Sequence, residues 1–92
     1  MSLPVSFHRA ANSEFIEASV WYEGKRPGLG IEFITEIERC ISRISSQPFQ
    51  FAVVRGDVRR AVASRFPYSI YFRTGGNRVV VLAVFHGNRN PA

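Results

Sequence analysis

The chain has 92 residues, 46% of them hydrophobic and 21% charged, which suits one soluble globular domain over residues 1–92 and leaves no room for a second core. No apolar run approaches the ~20 residues that cross a bilayer, and no secretory leader precedes the first strand-like segment, so a cytoplasmic protein without membrane attachment is expected. The net charge of +5 calls for an acidic partner, either nucleic acid or an acidic protein segment.

That charge is unevenly spread. Residues 1–38 carry six glutamates against Arg9, Lys25 and Arg26, a net of −3. Residues 39–92 carry nine arginines against Asp57, a net of +8. Arginine's planar fork matches phosphate and carboxylate better than a lysine ammonium does. Cys40 is the single cysteine. It allows no internal disulfide and no cysteine-based metal site, and neither a metal nor a cofactor is expected.

In chain order, Val5-Ser6-Phe7-His8 alternates apolar and polar, a short strand signal. From about Ala10 the period becomes helical. Ala11, Phe15, Ala18 and Tyr22 form a stripe that Ile16 and Val20 widen. Gly24-Lys25-Arg26-Pro27-Gly28 is expected to break this helix. A second helix is predicted over Leu29–Ser46, with Ile34, Ile37, Ile41 and Ile44 on its apolar face. Glu32, Glu36, Arg39 and Arg43 fall on or near its other face, the two arginines as solvated charges. Together the two helices read as a helical hairpin.

The rest reads as sheet. Phe51–Arg55 and Val58–Ala63 flank Gly56-Asp57, a two-residue hairpin turn. Tyr68–Arg73 is a further strand, with Pro67 at its start. Thr74-Gly75-Gly76-Asn77 is a turn signal, and Val79–Phe85 is an unbroken apolar run of the kind found in a central strand. The fold class is α+β: an N-terminal strand, a helical hairpin, then a mostly antiparallel sheet of three to four further strands, with the helices on one face.

Specific words add to that order. Val58-Arg59-Arg60-Ala61 with Arg65-Phe66-Pro67-Tyr68-Ser69-Ile70-Tyr71-Phe72-Arg73 resembles the central strands of ParE-like toxins. Val79 to Pro91 resembles their last strand and tail, and Trp21-Tyr22-Glu23 with Gly28-Leu29-Gly30 and Phe33 resembles their helical hairpin. Through these stretches the chain resembles the RelE/ParE superfamily over nearly its whole length. The resemblance implies the toxin of a type II toxin–antitoxin pair, often called a plasmid stabilisation system. It would be neutralised by an acidic, partly disordered antitoxin, with oligomers formed through that antitoxin. ParE-like members poison DNA gyrase, whereas RelE-like members cut messenger RNA on the ribosome. Fold alone does not choose between these.

The residues weigh on the choice. RNA cleavage needs a base, an acid and charge to stabilise the transition state. His86 is the best titrating candidate. Arg89 stands where the resemblance puts a catalytic arginine, and Arg59, Arg60, Arg65 and Arg73 are candidate phosphate or target contacts. Arg59 and Arg60 point to opposite faces of one strand, so at most one of them serves any given site. His8 is expected to be structural, Trp21, Tyr22 and Phe33 to be core, and Cys40 to be a small buried filler. The chain departs from RelE-like enzymes in having one lysine, Lys25, where they have a lysine-rich site. It also lacks a tyrosine beyond Arg89, and its later half offers one carboxylate, Asp57, in a turn. A gyrase binder without chemistry of its own is therefore expected, with ribosome-dependent endoribonuclease as the alternative.

Overall fold

The computed structural model describes residues 2–87. The elements run β1 (Val5–Phe7), α1 (Arg9–Lys25), α2 (Leu29–Ser46), a 3-10 turn (Pro48–Gln50), β2 (Val53–Arg55), β3 (Val58–Val62), β4 (Tyr68–Gly75) and β5 (Arg78–His86). The strands form one sheet in the order β1-β5-β4-β3-β2. β1 is parallel to β5, and the other neighbouring pairs are antiparallel. The apolar run thus becomes β5, hydrogen-bonded on both sides. The helices cover one face of the sheet, where Ala11, Ala18, Phe33 and Ile37 are buried with Ile70, Phe72, Val79 and Val81.

The helical hairpin is closed by aromatic rings and by one carboxylate. Phe33, with no exposed surface, lies 5.0 Å from Tyr22, 5.3 Å from Phe66 and 5.0 Å from Tyr68, centroid to centroid. Glu23, near the end of α1, accepts from the backbone N–H groups of Gly28 (3.0 Å) and Gly30 (2.9 Å). It thereby caps α2 from outside, where the free N–H groups and the helix dipole favour a negative charge. Gly30 is required for the close approach: a Cβ there would meet the Ser19 carbonyl oxygen at 2.7 Å.

Several boundaries differ from the sequence reading. The helical break is three residues, not five, because Gly24 and Lys25 stay in α1 and the block imposed by Pro27 does not reach back to them. Phe51 and Ala52 precede β2 because Pro48–Gln50 forms the 3-10 turn. β3 ends at Val62, one residue early, while β4 runs two residues further, to Gly75. The β4–β5 turn is therefore the pair Gly76-Asn77, both at positive φ (58° and 62°), as a type I′ hairpin turn requires. Trp21 is 57% exposed, and Ile16 and Val20 are exposed too, so the buried stripe of α1 is narrower than expected. Glu36 is buried on α2, against the sequence reading, with Arg39 3.7 Å away. Among the described residues, no helix is long and apolar enough to cross a membrane.

Candidate target-binding surface

Alternation along β4 turns Ile70 and Phe72 toward the helices and sends Ser69, Tyr71 and Arg73 to the second face. The register carries that face across the sheet. Arg60 on β3 lies opposite Tyr71, Arg73 opposite Val80, and Arg78 opposite Gly75. Arg60 and Arg73 are thus diagonal neighbours, as are Arg73 and Arg78, at the ~7–8 Å typical of that relation. All three arginines are exposed. Beside them, Tyr71 is 5% exposed and its ring centroid lies 5.8 Å from that of Phe85. The result is a row of three guanidinium groups over an aromatic floor. No histidine, aspartate or glutamate stands on this face among the described strand residues.

His86 lies on the other side of the sheet. The β4–β5 register slips between Tyr71↔Ala83 and Phe72↔Val81, leaving Leu82 as an extra residue. Such a bulge reverses which residues face which way. Beyond it, Val84 is buried with the helix-side core, and His86 meets the edge of Tyr68 at 5.3 Å. His86 shares a cleft of about 260 Å³ with Glu14, Glu17 and Trp21. Glu14 also accepts from the Val84 N–H at 2.9 Å. This is an acidic setting.

Arg59 and Arg65 are already engaged. Arg59 donates to the Phe51 carbonyl at 2.7 Å and lies over the Phe49 ring at 5.1 Å, on the helix side of β3. Arg65 sits in the β3–β4 connection with φ of 69° and donates to Glu32 at 2.8 Å. Glu32 is also paired with Arg26 at 3.1 Å. The hydrogen bonds from Arg65 and then Arg26 hold the Glu32 carboxyl below its usual pKa. Arg89 lies outside the described residues. Of the six residues singled out from the sequence, the fold therefore brings Arg60 and Arg73 together and separates them from His86, Arg59 and Arg65.

Arg78 was missed by the sequence reading. The available signal was its position two residues before Val80, which puts it on the same face as Arg73. Cys40 is buried, and desolvation raises its pKa, which suits a filler better than a nucleophile. No group of three or more potential metal ligands occurs among the described residues.

A helix-backed sheet with an arginine row on its free side defines a small α+β protein with a cationic sheet face. A family model described as the ParE toxin of the type II toxin–antitoxin system parDE matches residues 5–91, and the chain belongs to that family. Its fold is similar to a chain of the chromosomal ParDE toxin–antitoxin system from P. aeruginosa, with a TM-score of 0.82 at 18% identity over 95% of this chain and 98% of that one. It is also similar to a chain of the toxin–antitoxin complex RelBE2 from Mycobacterium tuberculosis, with a TM-score of 0.63 at 20% identity over 94% and 99%. A search of curated proteins returned no match.

Proposed function

We propose that this ParE-family toxin poisons DNA gyrase by binding it and stalling it on cleaved DNA, with Arg60, Arg73 and Arg78 as the main contacts. The observation that carries the reading is the separation of charge from chemistry. Among the described strand residues the arginine row has no general base beside it, so it suits binding, and its guanidinium forks fit the phosphates and carboxylates of a protein–DNA complex. The alternative, ribosome-dependent cleavage of mRNA, needs His86 and Arg89 beside the phosphate grip. His86 instead shares its cleft with Glu14 and Glu17, whose charge opposes an RNA backbone. An acidic antitoxin would neutralise the toxin and link copies of it, as in a plasmid stabilisation system, and a gyrase target implies action in the cytoplasm.

The test is a supercoiling assay with purified toxin. Inhibition with accumulation of cleaved plasmid is expected. Unimpaired supercoiling, together with fresh cuts in translated messages, would establish the nuclease reading instead.

A further inference from the structure

A second cationic feature lies away from the sheet face. The C-terminal half of α2, the 3-10 turn and the β3–β4 connection enclose an open groove of about 780 Å³, within the ~300–1,000 Å³ range of ligand sites. Every residue lining it is polar or charged. Arg39, Ser42, Arg43 and Ser46 recur at i, i+3, i+4 and i+7, so they share one face of α2. Arg39 and Arg43 are like charges one turn apart, a pairing that by itself weakens a helix. The one carboxylate lining the groove, Glu36, stands 3.7 Å from Arg39, too far for a strong hydrogen bond. Arg43 makes no ion pair among the described residues and has the buried Cys40 thiol, a weak acceptor, for a neighbour. Arg65 lines the groove from the β3–β4 connection but is committed to Glu32 at 2.8 Å. Among the described residues, most donors of the Arg39 and Arg43 forks thus go unmatched.

We propose that this groove binds a small phosphate ester rich in hydroxyl groups, of the sugar phosphate class. Arg39 and Arg43 grip the phosphate, and Ser42, Ser46, Gln47 and Gln50 bond the hydroxyls. Two guanidinium forks a helical turn apart suit a phosphate, whose terminal oxygens accept from both; a carboxylate is filled by one fork. Serine hydroxyls and glutamine amides both donate and accept, as sugar hydroxyls do, and Glu36 adds an acceptor for a hydroxyl donor. No aromatic ring lines the groove, so a nucleobase finds no ring to stack on. A nucleic-acid strand fits poorly for a second reason. Glu36 and the carbonyls that end α2 carry negative charge, which a single phosphate held by two arginines tolerates and a row of phosphates does not. The groove borders α2 on the helix side of the sheet, whereas the arginine row lies on the other side, so this site is independent of the gyrase reading.

The experiment titrates the full chain at low ionic strength with glucose 6-phosphate, followed by calorimetry and NMR. Glucose, inorganic phosphate and a single-stranded RNA oligonucleotide serve as comparison ligands. Glucose 6-phosphate is expected to bind roughly tenfold more tightly than inorganic phosphate, as a few added hydrogen bonds would give, and glucose to show no measurable binding. Arg43→Gln should weaken glucose 6-phosphate binding roughly tenfold and Arg39→Gln/Arg43→Gln further, the loss expected when charge-assisted bonds are removed. Arg43→Lys keeps the charge without the fork and should fall between the parent and Arg43→Gln, which separates lost phosphate contacts from misfolding. Arg60→Gln/Arg73→Gln should bind as the parent does, and the ligand should shift the Arg43 Nε–H resonance. No binding of glucose 6-phosphate, or binding that ignores the Arg39 and Arg43 changes, would overturn the site. Inorganic phosphate bound as tightly as the sugar phosphate would overturn the hydroxyl contacts, and an RNA strand that displaces the sugar phosphate from the groove would overturn the small-ligand assignment. Loss of this site on any of these grounds leaves gyrase inhibition, and the reading built on it, untouched.

Discussion

Arg60 and Arg73 stand diagonally on neighbouring strands, exposed and without a carboxylate partner among the described residues. Replacing both with alanine should abolish gyrase inhibition and growth arrest while changing stability by no more than ~0.5 kcal/mol each, as for exposed positions generally. Thermal melts run beside the inhibition assay would check both halves. His86→Ala should stay toxic. Alternation alone, counted from Val79, would put His86 on the arginine face. The bulge at Leu82 turns it away, and an apolar run such as Val79–Phe85 carries no letter that marks a bulge. Arg59 and Arg60, by contrast, lie in an unbulged strand, and their opposite orientation was legible from the sequence.

Glu32 makes a pH prediction at the same scale. Its folded pKa lies below the usual carboxylate value because Arg65 and Arg26 bond the charged form. The stability it adds is present above the ordinary carboxylate range and is lost as pH falls through the lowered value. Glu32→Gln should therefore lower stability modestly in the neutral region, where the charged carboxylate is bonded, and flatten the acid limb, so that variant and parent converge at low pH. The effect should shrink in salt, since the groups are exposed. An identical acid limb in the variant would refute this pairing.

At the scale of elements, the helical hairpin depends on two residues. Phe33→Ala should cost about 3–5 kcal/mol, the usual range for a buried phenylalanine, because it removes the ring that joins Tyr22, Phe66 and Tyr68. Gly30→Ala should cost about 1–3 kcal/mol by overpacking, because the Ser19 carbonyl in its way is backbone and cannot rotate aside. Urea unfolding would measure both, and a Gly30→Ala protein as stable as the parent would contradict the close approach. The bounds of α2 were readable, because Pro27-Gly28 and Gln47-Pro48 punctuate both ends and the apolar spacing is regular. The end of α1 was not, because a proline constrains its immediate predecessor most strongly and leaves a residue two positions earlier free to stay helical. Trp21 was expected in the core but sits at the rim of the His86 cleft, where Lys25 lies over its ring at 4.6 Å. Helical spacing fixes a side chain's direction and not how far the covering layer extends.

For the whole molecule, the sequence's division of charge becomes a division of surfaces. Glutamates of α1 border His86, whereas arginines of the later half occupy the second sheet face and the groove beside α2. Encounter with an acidic partner should therefore slow as ionic strength rises; stopped-flow association rates that do not change with salt would contradict this. Family, element order and charge asymmetry were all accessible from the sequence, because they follow from patterning over many residues. The assembly of a site was not, because it turned on one extra residue in one strand. The most direct test of the account is gyrase-dependent plasmid cleavage measured side by side for the parent toxin, Arg60→Ala/Arg73→Ala/Arg78→Ala and His86→Ala. Cleaved plasmid should accumulate with the parent and His86→Ala and fall to background with the triple variant. Full activity in the triple variant, or its loss in His86→Ala alone, would contradict the claim that this toxin works through its arginine face.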